Sequence, residues 1–172
     1  EAVDPGLRVL DWSTLAVVPG LMDMHTHLAD EGPYGDPATP LRSNAARDAF
    51  IGARNARATL QAGFTTVRDV GVYRGFADVQ LRDAINAGLV PGPRMFVAGT
   101  YVTVTGGGGE ITGLPAGTEV PAIFRRGVAD NEAEVRQRVN EILDAGADFI
   151  KLIATGAVLA DGTEPGQSEY TE

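Results

Sequence analysis

Apolar and polar positions along this chain follow two rhythms, one alternating and one helical, and the switches between them mark out its elements. From Leu7 to Val18 a short apolar run, broken by Asp11-Trp12-Ser13, predicts a strand or two before the turn-forming pair Pro19-Gly20. Leu21 to Leu28 alternates in side-chain type and runs into a loop rich in Gly, Pro and Asp up to Pro40, which predicts a strand ending in a long loop. From Ser43 to Ala62 the residues Ala46, Ala49, Phe50, Ala53, Ala56 and Leu60 recur at helical spacing, and Gly63 stands where a C-terminal cap belongs. Phe64 to Val70 is β-branched and bounded by glycine, and helical spacing resumes from Phe76 to Ala87 before Gly88. Arg94 to Ala98 predicts another strand. Glu132 to Ala145, with Val135, Val139, Ile142 and Leu143 on one face, predicts another helix closed by Gly146. Asp148 to Ala154 is apolar on both faces apart from one lysine, as in a strand buried in a parallel sheet.

Strands and helices that alternate in this way form βα units around a parallel sheet, an α/β fold. Two architectures fit: a doubly wound open sheet, or part of a (β/α)8 barrel. A complete barrel takes about 250 residues, so four strands in a chain of 172 residues amount to about half of one. Nucleotide binding by a doubly wound sheet is disfavoured, because no Gly-x-Gly-x-x-Gly follows the first strand.

Composition narrows the partners. A hydrophobic share of 44% supports one domain with a sizeable core and argues against disorder. The net charge of -9 repels phosphate backbones and anionic membrane surfaces, so neither nucleic acid nor membrane is expected as a partner. No apolar run approaches the roughly 20 residues of a membrane span, and Glu1-Ala2-Val3-Asp4 lacks the pattern of a signal peptide, so a cytoplasmic protein is the default expectation. The chain begins without Met and stops in Ser168 to Glu172, which reads as the approach to another helix. Truncation at both ends is therefore expected. With no cysteine, imidazole, carboxylate and modified lysine remain as candidate metal ligands.

His25 and His27 are the only histidines, and two residues of like parity in a strand share a face. Two neutral imidazoles at the end of a strand that leads into a long loop make half of a zinc-type site. The plainer alternative is a pair of surface histidines. Lys151, flanked by Phe149, Ile150, Leu152 and Ile153, is expected in low dielectric, which disfavours the ammonium. A neutral amine can take up carbon dioxide to give a carbamate, a two-oxygen anion able to bridge two divalent cations. Against this stands a lysine that reaches to water or pairs with a carboxylate. Arg68 and Asp69 point to opposite faces, so one of them can approach the site, although a structural ion pair is the expected use. In the loop from Thr100 to Arg126, Gly106-Gly107-Gly108-Gly109 lets the backbone approach a ligand closely. No lysine follows at P-loop spacing, so a lid over substrate fits better than a phosphate site, with Tyr101, Gly107 and Gly108 as candidate substrate contacts.

The segment Val18-Pro19-Gly20-Leu21-Met22-Asp23-Met24-His25-Thr26-His27 resembles the first-strand signature of the amidohydrolase superfamily. Ala62-Gly63-Phe64-Thr65-Thr66-Val67-Arg68-Asp69 is similar to its second-strand segment, and Gly146-Ala147-Asp148-Phe149-Ile150-Lys151-Leu152 to its fourth, whose lysine is carboxylated. Nearly the whole chain takes part, and the branch it most resembles is the imidazolonepropionase-like group with prolidase-type dipeptidases. The resemblance implies the first half of a (β/α)8 TIM barrel over residues 19–172, preceded by a remnant of a small β-sandwich domain over residues 1–18.

It also implies a site of two divalent cations, most simply Zn2+, held by His25, His27 and the N6-carboxylated Lys151. In such a site a metal-bound hydroxide attacks an amide or ester carbonyl. In the family two later histidines and a later aspartate complete it, and this chain has no third histidine. Gly108 stands where relatives are expected to carry a substrate-binding histidine. The expected function is hydrolysis of a small amide or peptide-like substrate such as a dipeptide or N-acyl amino acid, by an enzyme incomplete in these 172 residues. The alternative is a non-catalytic half-barrel whose open edges make it a homo-oligomer or pair it with a missing C-terminal half.

Overall fold

A computed structural model describes residues 6–30, 35–158 and 160–170. Strand β1 (Leu21–Thr26) is followed by a one-turn helix α1 (Thr39–Arg42) and the long helix α2 (Ala45–Gln61). Strand β2 (Phe64–Asp69), helix α3 (Ala77–Asn86) and strand β3 (Arg94–Val97) come next. Then follow β4 (Tyr101–Val102), a 3-10 turn (Ala122–Phe124), helix α4 (Glu132–Asp144) and β5 (Lys151–Leu152). Helices α2 and α4 start alike: Asn44 and Asn131 accept the backbone N–H of Arg47 and Glu134, which satisfies a donor the first turn leaves free.

All strand pairing between named strands is parallel. β1, β2 and β3 lie side by side in chain order, and β4 pairs with β5 in a second sheet. The third strand of the sequence reading is present as β3, and a further short strand that the reading did not contain follows it. Strand β3 stays in the three-stranded sheet, and after Gly99-Thr100 the chain resumes as β4 beside β5, inside what reads from sequence as a loop. Asp148 holds the junction: its N–H donates to Val97 O, and its carboxylate accepts Val97 N–H at 2.9 Å and Arg82 at 2.9 Å.

In β2 and β3 alternate residues Val67, Asp69, Met95 and Val97 are buried, while Arg68, Arg94 and Phe96 are exposed. The buried set meets Ala56 of α2 and Val79 and Leu81 of α3, and with Leu28, Ala29 and Val72 forms the core. Each valine removed from water there contributes about 1.5–3 kcal/mol. The face of α2 that enters this core matches the predicted one at Ala56 but departs from it in the first half of the helix, where Ala46, Ala49 and Phe50 are exposed. Phe50 is 77% exposed, whereas Asp48, Ile51, Gly52 and Ala56 are buried. An alanine-rich helix has little contrast between its sides, so closer contacts decide: Gly52 lets Leu81 approach, and Asp48 pairs with Arg74 at 2.5 Å.

Two further expectations are corrected. Residues 7–20 contain no strand, and Leu7, Val9, Leu10, Leu15 and Val17 are exposed, since no strand among the described residues pairs with them. The strand carrying Lys151 is not buried on both faces: Lys151 is half-buried and Leu152 is 48% exposed, because the described residues place no second layer over that side. Residues 1–5, 31–34, 159 and 171–172, which include parts of the expected β remnant, the first long loop and the final stretch, lie outside the described residues.

Candidate metal and hydrolase site

His25 is the penultimate residue of β1 and His27 follows its end. Their rings converge as the parity argument requires, with centroids 5.5 Å apart at 71°. The C-terminal end of β2 fixes the backbone around His27. Val70 N–H donates to Thr26 O, and the Asp69 carboxyl accepts Leu28 N–H at 2.6 Å and Thr26 Oγ1 at 3.4 Å. Burial pushes the Asp69 carboxyl well above the ordinary range, helped by the charges of Asp78 and Asp30 and opposed by the Leu28 and Gly71 N–H groups. Asp69 Oδ1 is buried with no hydrogen-bond partner among the described residues.

His27 Nδ1 lies 2.7 Å from Gly71 O. A carbonyl only accepts, so Nδ1 carries the hydrogen, and in the neutral ring the lone pair is then on Nε2, the form in which imidazole binds a cation. His25 is held below the usual histidine range, first by partial burial and then by electrostatic repulsion from His27, Lys151 and Arg68, with Asp23 opposing. The neutral, ligating form is favoured there too.

Those same charges place Lys151 and Arg68 in the field of His25. Arg68 crosses the face: its Nε donates to Met24 O at 2.8 Å, and its guanidinium lies 5.6 Å from the ring centre of Phe149. One side chain of β2 thereby touches the residue before His25 and the approach to Lys151. The expected ion pair is not formed, since neither Arg68 nor Asp69 has a salt-bridge partner among the described residues. Of the two, Arg68 lies on the exposed side toward Met24 and Phe149, and Asp69 is buried against Thr26 and Leu28.

Among the described residues no three His, Cys, Asp or Glu side chains gather to hold a cation. The donor set is two imidazoles, one with its tautomer fixed, and the Lys151 amine. That set suits part of a site for a borderline cation such as Zn2+, with the remaining ligands to come from elsewhere.

The candidate substrate residues lie apart from one another. Tyr101 is 9% exposed, and its hydroxyl lies on Gly71 O at 3.1 Å and on His27 Nδ1 at 3.2 Å. Burial pushes its phenol well above the ordinary range. Gly107 and Gly108 meet the chain's own Glu169, whose carboxylate accepts Gly108 N–H at 2.5 Å and Thr103 Oγ1 at 3.2 Å. A Cβ on Gly107 would stand 2.5 Å from Glu169 Oε2 and one on Gly108 2.9 Å from Ala157 Cβ, so close packing explains these glycines. Beside the site a cleft of about 230 Å³ opens between Tyr73, Glu110, Ile111 and Asp161. Sequence reasoning missed Asp69 as a backbone clamp, Gly71 as the carbonyl behind His27, and Glu169. The glycine just past β2 was a usable signal for the second; nothing local marked the third.

The sequence profile of the Amidohydrolase family matches residues 16–172. The ochratoxinase of Aspergillus niger is 30% identical over 168 residues, which cover 90% of this chain and 34% of that protein. The crystal structure of a Xaa-Pro dipeptidase with bound methionine superposes with a TM-score of 0.76 at 34% identity, covering 89% of this chain and 37% of the other. That of an amidohydrolase does so with a TM-score of 0.83 at 32% identity, covering 99% and 42%. The chain thus spans between a third and somewhat over two fifths of these relatives' length.

Proposed function

The chain belongs to the amidohydrolase family, and from that premise we propose that it contributes His25, His27 and Lys151 to the site of a metal-dependent hydrolase of amide or peptide-like bonds. The observation that carries the reading is the pair of converging imidazoles, one of them fixed with Nδ1–H on Gly71 O. Relatives named ochratoxinase and Xaa-Pro dipeptidase support a C–N bond as target, with dipeptides or N-acyl amino acids as the substrate class. Residues 19–172 would form the first half of a (β/α)8 barrel.

The histidines and a carboxylated Lys151 would hold up to two Zn2+ ions in the complete enzyme. A cation bound there supplies Lewis acidity toward a carbonyl and lowers the pKa of water. The chain's own residues orient that chemistry. Gly71 O receives His27 Nδ1–H, Asp69 holds the Leu28 N–H and the Thr26 hydroxyl on either side of His27, and Arg68 ties β1 to the approach to Lys151. Arg68 also brings a permanent positive charge that favours an anionic group near Lys151, whether a carbamate or a substrate carboxylate. Gly107 and Gly108 stand in the substrate wall, in a loop that Glu169 closes.

A second reading has its own support: Met22, Met24, Phe96 and Leu152 are exposed. A half-barrel with this face open would associate with a copy of itself or with a C-terminal half. Zinc retention separates the two. After dialysis against Zn2+ and bicarbonate, the chain should keep metal that His27→Ala and Lys151→Ala lose, and the protein completed by its C-terminal half should keep close to two ions and cleave N-acyl amino acids. Equal metal content in wild type and both variants sinks the hydrolase reading.

A further inference from the structure

The candidate ligands are split between two sheets. His25 and His27 belong to β1 and its exit, Lys151 begins β5, and β5 pairs with β4 alone among the described residues. Tyr101 reaches both. It is the ladder partner of Lys151, and its hydroxyl lies 3.2 Å from His27 Nδ1 and 3.1 Å from Gly71 O. Gly71 O has two lone pairs, enough for the Tyr101 hydroxyl and for His27 Nδ1–H at 2.7 Å.

The surroundings leave this phenol little freedom. Its ring packs edge to face with His27 and with Tyr73, at centroid distances of 5.9 and 5.4 Å. On the other side it abuts Gly71, whose φ of +117° favours glycine and whose Cβ, if present, would stand 2.9 Å from Tyr101 Cε1. The carbonyl that fixes His27 is therefore held between a glycine conformation and a tyrosine hydroxyl.

We propose that Tyr101 is a positioning residue: with Gly71 O it holds His27 in the Nδ1–H tautomer, and through its pairing with Lys151 it ties that imidazole to the strand bearing the lysine. The inference rests on the cation-site reading of His25, His27 and Lys151 and gives a physical link between the two sheets that carry them. It makes the phenol part of the site's frame, acting through the imidazole.

Tyr101→Phe removes one oxygen and keeps the ring, so the core packing is preserved. Nitrogen-15 NMR of histidine-labelled protein without metal should show His27 in a single tautomer, protonated on Nδ1, in the wild type. In Tyr101→Phe it should show a mixture, a change that loss of packing alone would not give. Gly71→Ala, whose added Cβ meets the Tyr101 ring at a backbone φ that favours glycine, should displace the same carbonyl and give the same mixture. Calorimetric titration with Zn2+ should show affinity falling tenfold or more in Tyr101→Phe, the range known for groups that orient a metal-bound histidine. A single Nδ1–H tautomer together with unchanged Zn2+ affinity in Tyr101→Phe overturns the proposal. If the tautomer shifts in the variant while neither protein binds Zn2+, Tyr101 keeps its role toward His27 and the cation reading is the part that fails.

Discussion

Asp78 lies in the first turn of α3 with its carboxylate oxygens on the N–H groups of Val79 and Gly99. Burial pushes it up from 3.8 to about 7, against the pull of those donors. An unfolded chain ionises this group near 3.8, so its contribution to stability is complete below that pH and is lost as pH rises toward about 7. At about 1.4 kcal/mol per pH unit the loss is on the order of 4 kcal/mol. Urea unfolding at about pH 4.5 and about pH 7 should therefore show a smaller gap in Asp78→Asn than in the wild type. The amide gives up one backbone donor, which shifts both measurements equally. Identical gaps in the two proteins would mean that Asp78 is already charged in the folded state at the lower pH.

Elements follow from sequence where a short-range rule suffices. All three long helices end at Ala-Gly: Gly63, Gly88 and Gly146 have φ of +94°, +72° and +96°, and each was visible beforehand as the residue that stops a helical rhythm. The N-caps are similarly local, so Asn44→Ala should lower stability by about 1 kcal/mol while Asn44→Asp retains most of it. Thermal melts of the two variants check this, and equal melting would remove the cap from the account. Elements set by distant partners were not legible. β4 reads as loop because two residues carry no rhythm, and it is a strand only because β5 lies beside it. The first half of α2's inward face was misread because Arg74, in the segment between β2 and α3, fixes Asp48. At the site, His25 and His27 were legible from parity, whereas Tyr101's link to His27 depends on a contact across 74 positions.

For the whole molecule, an acidic chain of net charge -9 brings His27, Lys151 and Arg68 within electrostatic reach of His25. The sheets also leave apolar surface open to water at Met22, Met24, Phe96 and Leu152. Sedimentation velocity over a range of concentrations should show reversible association, and addition of a C-terminal half should suppress it. A species that stays monomeric throughout would show that this surface tolerates water.

Glu169 adds a consequence about timing. Protein synthesis delivers the glycine loop about sixty residues before the carboxylate that closes it, so Gly108 N–H and Thr103 Oγ1 wait for their acceptor until the emerging chain has passed β5. Until then the loop is open to proteases, and a ribosome paused before residue 169 would hold its sheets in place with their rim unfinished.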